Sequence, residues 1–191
     1  MKSDKGRDQK MLARNGDSRV ENDMTGKLPS VRQAMLDYFD RDQRRIEHAL
    51  AVAANAERLL KYIDADETIT MAAAYLHDIG IHEAERKHGS NSGKYQEVEG
   101  PPVARTILGQ LSFSADFIEI VCEIVGKHHT PQGVDSPEFR ILWDSDALVN
   151  LEEVLPGKNA EQIETILDRS FVSEAGYRIA QRKFLPREET A

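Results

Sequence analysis

The sequence predicts an all-α fold, a single bundle of roughly six to eight helices. Three observations carry this reading. Apolar residues recur at three- and four-residue intervals through most of the chain beyond Ser30. Serine or aspartate stands where most of those runs begin, as helix N-caps do. No segment shows the strict alternation of apolar and polar residues that marks a half-buried strand.

Residues 1–29 are charged, poor in large apolar side chains and without periodicity, and read as a disordered polar tail. The folded domain is expected over 30–186, with a short tail at 187–191. Ser30 is the expected cap of a first helix through Val31, Met35, Leu36 and Phe39. A longer helix, from about Arg41 to Tyr62, carries Ile46, Leu50, Val52, Ala53, Ala56, Leu59 and Leu60. Asp64 or Asp66 caps the next, through Ile69, Met71, Ala72, Ala73, Tyr75 and Leu76. That helix is expected to stop near Asp78, with Gly80 in the left-handed position that follows many helices. Residues 82–100 hold three glycines and no apolar face, so they are expected to form the longest internal loop. Pro101-Pro102 suits the first turn of a helix through Val103, Ile107 and Leu108. Ser114 opens a helix running to His128, which Pro131 ends. Ser136-Pro137 opens another through Phe139, Ile141, Leu142, Leu148, Val149 and Leu151. Two more are expected, about Ala160 to Arg169 and Glu174 to Lys183, the second capped by Ser173.

Composition narrows the function classes. Hydrophobic residues make up 40% of the 191, enough for a core. The single cysteine, Cys122, excludes an intrachain disulfide framework and fits a reducing compartment. Its run of neighbours, Phe117, Ile118, Ile120, Val121, Ile124 and Val125, marks it as a small buried hydrophobe. The N-terminus lacks an apolar signal-peptide core, and no apolar run approaches the roughly 20 residues that span a bilayer. A cytoplasmic protein without membrane partners is expected. Net charge is −8, and the first 29 residues are net positive, so the domain itself carries all of the acidity. General nucleic-acid binding is therefore not expected, whereas a small phosphorylated metabolite held by a metal and a few basic residues is compatible with it. Self-association into a homo-oligomer is left open.

The residues with chemistry are spread one or two to a helix. His77-Asp78 stands at an expected helix end, where partial negative charge favours a cation. Imidazole nitrogen and carboxylate oxygen together suit a divalent transition metal: Mn, Fe, Co, Ni or Zn. His48 lies on an earlier helix, His128-His129 at the end of a later one, and Asp144 and Asp146 on the next. Asp146 is flanked by Leu142, Trp143, Ala147 and Leu148, and a carboxylate in that setting needs a metal or a histidine beside it. Arg86, Lys87 and Lys94 make the expected loop basic, and Arg86 and Lys94 are the candidates for offsetting phosphoryl charge. Arg44 lies one turn before His48, and Asn150 one turn after Asp146, where it can orient the carboxylate.

Three segments resemble the HD-domain superfamily of metal-dependent phosphohydrolases. Arg45-Ile46-Glu47-His48-Ala49-Leu50-Ala51-Val52 resembles its first-histidine helix, Ala74-Tyr75-Leu76-His77-Asp78-Ile79-Gly80 its central motif, and Asp144-Ser145-Asp146-Ala147-Leu148 its closing helix. The resemblance implies an all-helical domain whose metal ligands are His48, His77, Asp78 and Asp146, with Asp144 outside the ligand shell or an alternative to Asp146. It implies hydrolysis of a phosphomonoester or phosphodiester, with a nucleotide or related metabolite as substrate and Asp78 among the groups that take the proton. Two-metal subgroups, the cyclic-di-nucleotide phosphodiesterases among them, use further histidines where this chain has His128-His129. Here Thr130-Pro131-Gln132-Gly133 replaces their Gly-Tyr-Pro continuation, and the position ahead of the next helix offers Glu99 rather than histidine. One ion is therefore expected, with a second left open. Two alternatives remain at this stage: a non-catalytic metal- or nucleotide-binding signalling module, and a di-iron oxygenase on the same scaffold in which His82 or His88 joins His128.

Overall fold

The computed structural model describes residues 26–130 and 133–185, and among them every regular element is a helix. In chain order these are α1 (Leu28–Phe39), α2 (Gln43–Leu59), α3 (Glu67–Leu76), α4 (Ile81–His88), α5 (Gly93–Gln110), α6 (Ala115–Val125), α7 (Pro137–Val154), α8 (Ala160–Ser170) and α9 (Glu174–Phe184). Most of the polar tail expected at 1–29, and that expected at 187–191, lie outside the described residues.

Short polar side chains start most of the helices. Asp66 accepts from the Ile69 amide, Ser114 from Phe117, Ser136 from Phe139 and Ser173 from Gly176. Asn159 and Gln162 form a reciprocal capping box at α8. Asp42 caps α2 through the Arg45 amide. Ser30 is not a cap: α1 begins at Leu28, with Pro29 in its first turn, where the ring's fixed φ favours helix and its missing N–H costs nothing.

α3 is the central element. Thr68, Thr70, Met71, Ala72, Ala73, Ala74 and Leu76 are all buried, as in a helix surrounded on every side. α1, α2, α6 and α7 pack against it, and three successive alanines let them come close. α5 packs against α4 and α6, and α9 packs against α7 and α8.

The loop expected at 82–100 is mostly helix. α4 buries only Ile81 and Ala84, and the first half of α5 buries Gln96, Glu99 and Gly100. Faces made of so few apolar residues leave no periodicity to read. Pro101 and Pro102 lie inside α5 rather than at its start, so the carbonyls of Glu97 and Val98 lack intrahelical donors. α6 ends at Val125, and His128 and His129 sit in the turn beyond it.

Gly80 is not left-handed either; its φ and ψ are −78° and −9°. A Cβ there would stand 2.5 Å from the Gly100 nitrogen and 2.7 Å from the Gln96 carbonyl oxygen. Glycine is needed because α5 crosses the turn after His77-Asp78 at backbone contact. Gly80→Ala should therefore lower the unfolding free energy by about 1–3 kcal/mol. Gly109→Ala, also on α5 but with nothing within 4 Å, should leave the thermal midpoint unchanged or slightly raised. Comparable losses in both would show that helix propensity, and not the crossing, sets the effect.

Candidate metal centre

α3 ends at Leu76, and the turn that follows presents His77 and Asp78 to the middle of the bundle. α2 brings His48 and α7 brings Asp146. His48 Nε2 lies 3.0 Å from Asp146 Oδ1 and 3.2 Å from His77 Nε2. Asp78 Oδ2 is 3.6 Å from both of those imidazole nitrogens, and His77 Nε2 is 3.7 Å from Asp146 Oδ1. His48, His77 and Asp78 thus point one donor atom each at a common point, with Asp146 Oδ1 against the two histidines. His77 and Asp78 are buried, and His48 is mostly so.

The tautomers follow from the hydrogen bonds. His77 Nδ1 faces the Ala74 carbonyl at 2.9 Å, and a carbonyl only accepts, so Nδ1 carries the proton and Nε2 offers its lone pair. Burial pushes the His77 pKa down, which keeps it neutral. For His48 burial acts in the same direction, but the hydrogen bond to Asp146 and the charge of Asp78 outweigh it and raise the pKa. Burial also opposes ionisation of Asp78, yet the imidazoles of His77, His128 and His48 around it hold its pKa far below the usual carboxylate range. Asp146 is likewise lowered against the effect of burial, through His48 and His77. Asn150 Nδ2 donates to Asp146 Oδ2 at 2.8 Å and turns the other oxygen toward the histidines.

A second set adjoins the first. His128 Nδ1 donates to the Val125 carbonyl at 2.7 Å, which directs Nε2 at Asp78 Oδ1, 3.4 Å away. That Nε2 is buried with no hydrogen-bond partner of good geometry, a state that costs stability unless something accepts its lone pair. His129 packs on Gly93, where a Cβ would stand 2.7 Å from its ring. Gln96 donates to the Asn91 carbonyl at 2.6 Å, so its oxygen faces His129 Nε2 at 3.3 Å. His129 Nε2 is therefore the protonated nitrogen. Two groups of side chains, His48–His77–Asp78 and Asp78–His128–His129, bring ligand atoms close enough to hold a metal ion. The unpartnered nitrogen of His128, the converging lone pairs and the mixed nitrogen and oxygen donors all fit a divalent cation.

Asp144 belongs to none of this. Two positions along a helix differ by about 200°, and Asp144 faces away from Asp146. It is fully buried and accepts from the Val172 amide at 2.9 Å, the Ser173 amide at 3.1 Å and the Ser173 hydroxyl. It ties α7 to the start of α9, and Gly176 is required there because a Cβ would collide with its carboxylate.

Other sequence candidates lie elsewhere. Arg86 pairs with Glu83 at 2.6 Å, and Lys94 lies over the Tyr95 ring. Neither lines the cavity of about 390 Å³ that opens onto His48, Asp78 and Asp146. Its basic residues are Arg44 and Arg45 of α2. Arg44 pairs loosely with Glu153 in solvent, while Arg45 is mostly buried beside Glu85. Arg45, Glu47, Gln96 and Glu153 are polar cavity residues to which the sequence assigned no role. His82 faces Asp42 at 3.0 Å, and His88 faces Glu99 at 2.9 Å. Glu99 is also held by Lys87 at 2.5 Å. The additional ligand that the oxygenase alternative required from His82 or His88 is therefore not brought to the centre.

Comparison with known proteins bears on the family and the fold. The model of the HD domain matches residues 45–151, more than half of the chain. The chain belongs to the HD-domain family. A solved structure that it resembles is that of a predicted HD superfamily hydrolase from an uncultured Thermotogales bacterium. The two share 23% identity with a TM-score of 0.60, over 83% of this chain and 85% of the other; at that identity the likeness shows the fold. The comparison with curated proteins found no match. The HD-domain segment contains both histidine and aspartate sets, whereas α8 and α9 lie beyond it.

Asp146→Ala should remove bound metal, and Asp144→Ala should retain it while lowering the unfolding free energy by at least about 2 kcal/mol through loss of charged hydrogen bonds. Metal analysis and thermal unfolding of both variants distinguish the roles. Equal metal loss at unchanged stability would reverse the assignment.

Proposed function

We propose that this HD-domain protein is a metal-dependent phosphohydrolase that cleaves a small phosphomonoester or phosphodiester of nucleotide type in the cytoplasm. The observation that supports this most strongly is the meeting of His48, His77, Asp78 and Asp146, three of which line one cavity. These four residues would hold a divalent transition metal, one of Mn, Fe, Co, Ni or Zn. When bound, such an ion lowers the pKa of water and polarises a phosphoryl oxygen.

The chain's own groups account for the rest. Asp78 and Asp146 stay ionised at neutral pH and supply the negative charge that a cation requires. Asn150 prevents Asp146 from turning away. Arg45 places a partly desolvated positive charge in the cavity wall, where it offsets charge on phosphoryl oxygens better than a solvated lysine would. Asp78 would be committed to the cation through its carboxylate, which leaves it less suited to take a proton. His129 is better suited: it lines the same cavity as Asp78 and Asp146, and Gln96 fixes its tautomer so that Nδ1 has a free lone pair. We assign it the proton taken from attacking water.

Purified protein should hydrolyse small phosphate esters only with a transition metal, and His77→Ala or Asp78→Ala should reduce turnover roughly a hundredfold or more. Undiminished hydrolysis after chelation, with metal analysis confirming removal, would sink the mechanism. Retention of metal without turnover on any phosphate ester would favour a binding module.

A second reading, two ions instead of one, is favoured by Asp78 itself. Its Oδ2 faces His48 and His77 while its Oδ1 faces His128, the arrangement of a carboxylate between two cations. On that reading the metal content is two per chain and falls to one in His128→Ala. One ion in both proteins would support the single-metal site.

A further inference from the structure

A second cavity, of about 310 Å³, shares His129, Asp146 and Asn150 with the first. Trp143, Leu151 and Arg169 form much of its remaining wall. Arg169 is the last-turn arginine of α8 and lies beyond the HD-domain match, which ends at residue 151. Arg169 and Ser170 are thus the residues that the C-terminal helices add to a wall otherwise built by the HD-domain segment.

The backbone carrying Arg169 is held firmly. Trp143 Nε1 donates to the Ser170 carbonyl at 2.9 Å. The next residue, Asp144, accepts from the Val172 and Ser173 amides. Two consecutive residues of α7 thus pin 170–173 to the same stretch of helix that presents Asp146. The guanidinium is unclaimed by contrast: Arg169 has no ion pair or hydrogen bond to the described residues, and its neighbour Asp168 is engaged by the Tyr177 hydroxyl at 2.7 Å.

The chemistry of the two side chains is complementary. An indole locked by its N–H offers a flat apolar surface to another ring. A free guanidinium is a planar donor that seeks oxygen acceptors and stacks on rings. A phosphoryl group placed at Asp146 and His129 would leave its ester substituent free to extend into this cavity.

We infer that Trp143 and Arg169 form a leaving-group subsite, selecting phosphate esters whose alcohol carries a planar ring with oxygen acceptors, as in uridine or guanosine. The phosphoryl side of this inference rests on the phosphohydrolase reading, whereas ring binding does not.

Trp143 is the only tryptophan in the chain, so intrinsic fluorescence reports on the subsite directly. The full-length protein, supplemented with zinc, is titrated with uridine and guanosine 5′-monophosphates and, separately, with glycerol 3-phosphate. At least one nucleotide should give a saturable fluorescence change that glycerol phosphate does not. In Arg169→Ala the half-saturating concentration of that nucleotide should rise roughly tenfold or more. Where turnover is measurable, the nucleotide's KM should rise with kcat little changed, and hydrolysis of glycerol phosphate should be unaffected. No response to either nucleotide, or a response unchanged in Arg169→Ala, overturns the subsite. The predicted response without hydrolysis of any ester retains the subsite and rejects the hydrolytic reading.

Discussion

Asp78 lies among three imidazoles in the interior of a helical bundle, and the burial of that carboxylate constrains everything around it. An ionised group removed from water is unfavourable by several kcal/mol unless it is compensated. His77 cannot fully compensate it, because its own burial keeps it neutral. The remaining compensation must come from His48, from His128 or from a cation. The Ala74 carbonyl orients His77 so that its lone pair points inward, whereas His128, tethered to the Val125 carbonyl, faces Asp78, whose carboxylate raises its pKa against the effect of burial. A lone pair facing an anion needs a positive charge between the two. This electrostatic demand explains why His48 has a raised proton affinity, and why His128 Nε2 lacks a well-formed partner.

The helices are arranged to meet that demand. The alanines of α3 let α2 and α7 approach closely enough for His48 and Asp146 to reach the end of the same helix. The glycine crossing of Gly80 and Gly100 brings α5 against the following turn, which places Gln96 beside His129. On α7, alternate carboxylates divide the work. Asp146 faces the histidines with Asn150 behind it, and Asp144, itself buried, faces the other way and anchors the C-terminal helices. A single helix therefore carries a metal candidate and the attachment point of the segment that walls the second cavity.

Much of this was legible in the sequence. The all-helical class, most caps and the core faces follow from spacing and residue type, and the histidine–aspartate set from the resemblance of three segments to the HD domain. The legible elements are those whose buried faces are apolar. α4 and the start of α5 were hidden because their buried residues are Gln96, Glu99, Gly100 and only a pair of aliphatics. In sequence Gly80 looks like a helix terminator, since nothing local distinguishes a left-handed glycine from one pressed against a distant backbone. Arg86 and Lys94 were drawn to the site by proximity in sequence, but helical α4 commits Arg86 to Glu83 and the start of α5 sets Lys94 over Tyr95. Nothing in the sequence marks Arg45 as a cavity residue, because its reach depends on the packing of α2. His82 and His88 look like ligands in sequence, yet each has a carboxylate partner of its own, in Asp42 and Glu99.

The central claim is that the interior carboxylates and imidazoles form one cation site. A crystal structure of the protein loaded with a transition metal, with the ion located by its anomalous scattering, tests this most directly. The account predicts a peak bonded to His48 Nε2, His77 Nε2, Asp78 Oδ2 and Asp146 Oδ1, at roughly 2.0–2.2 Å if the metal is zinc. A fully loaded protein whose ion lies instead at Asp42 and His82, or at Glu99 and His88, would contradict it.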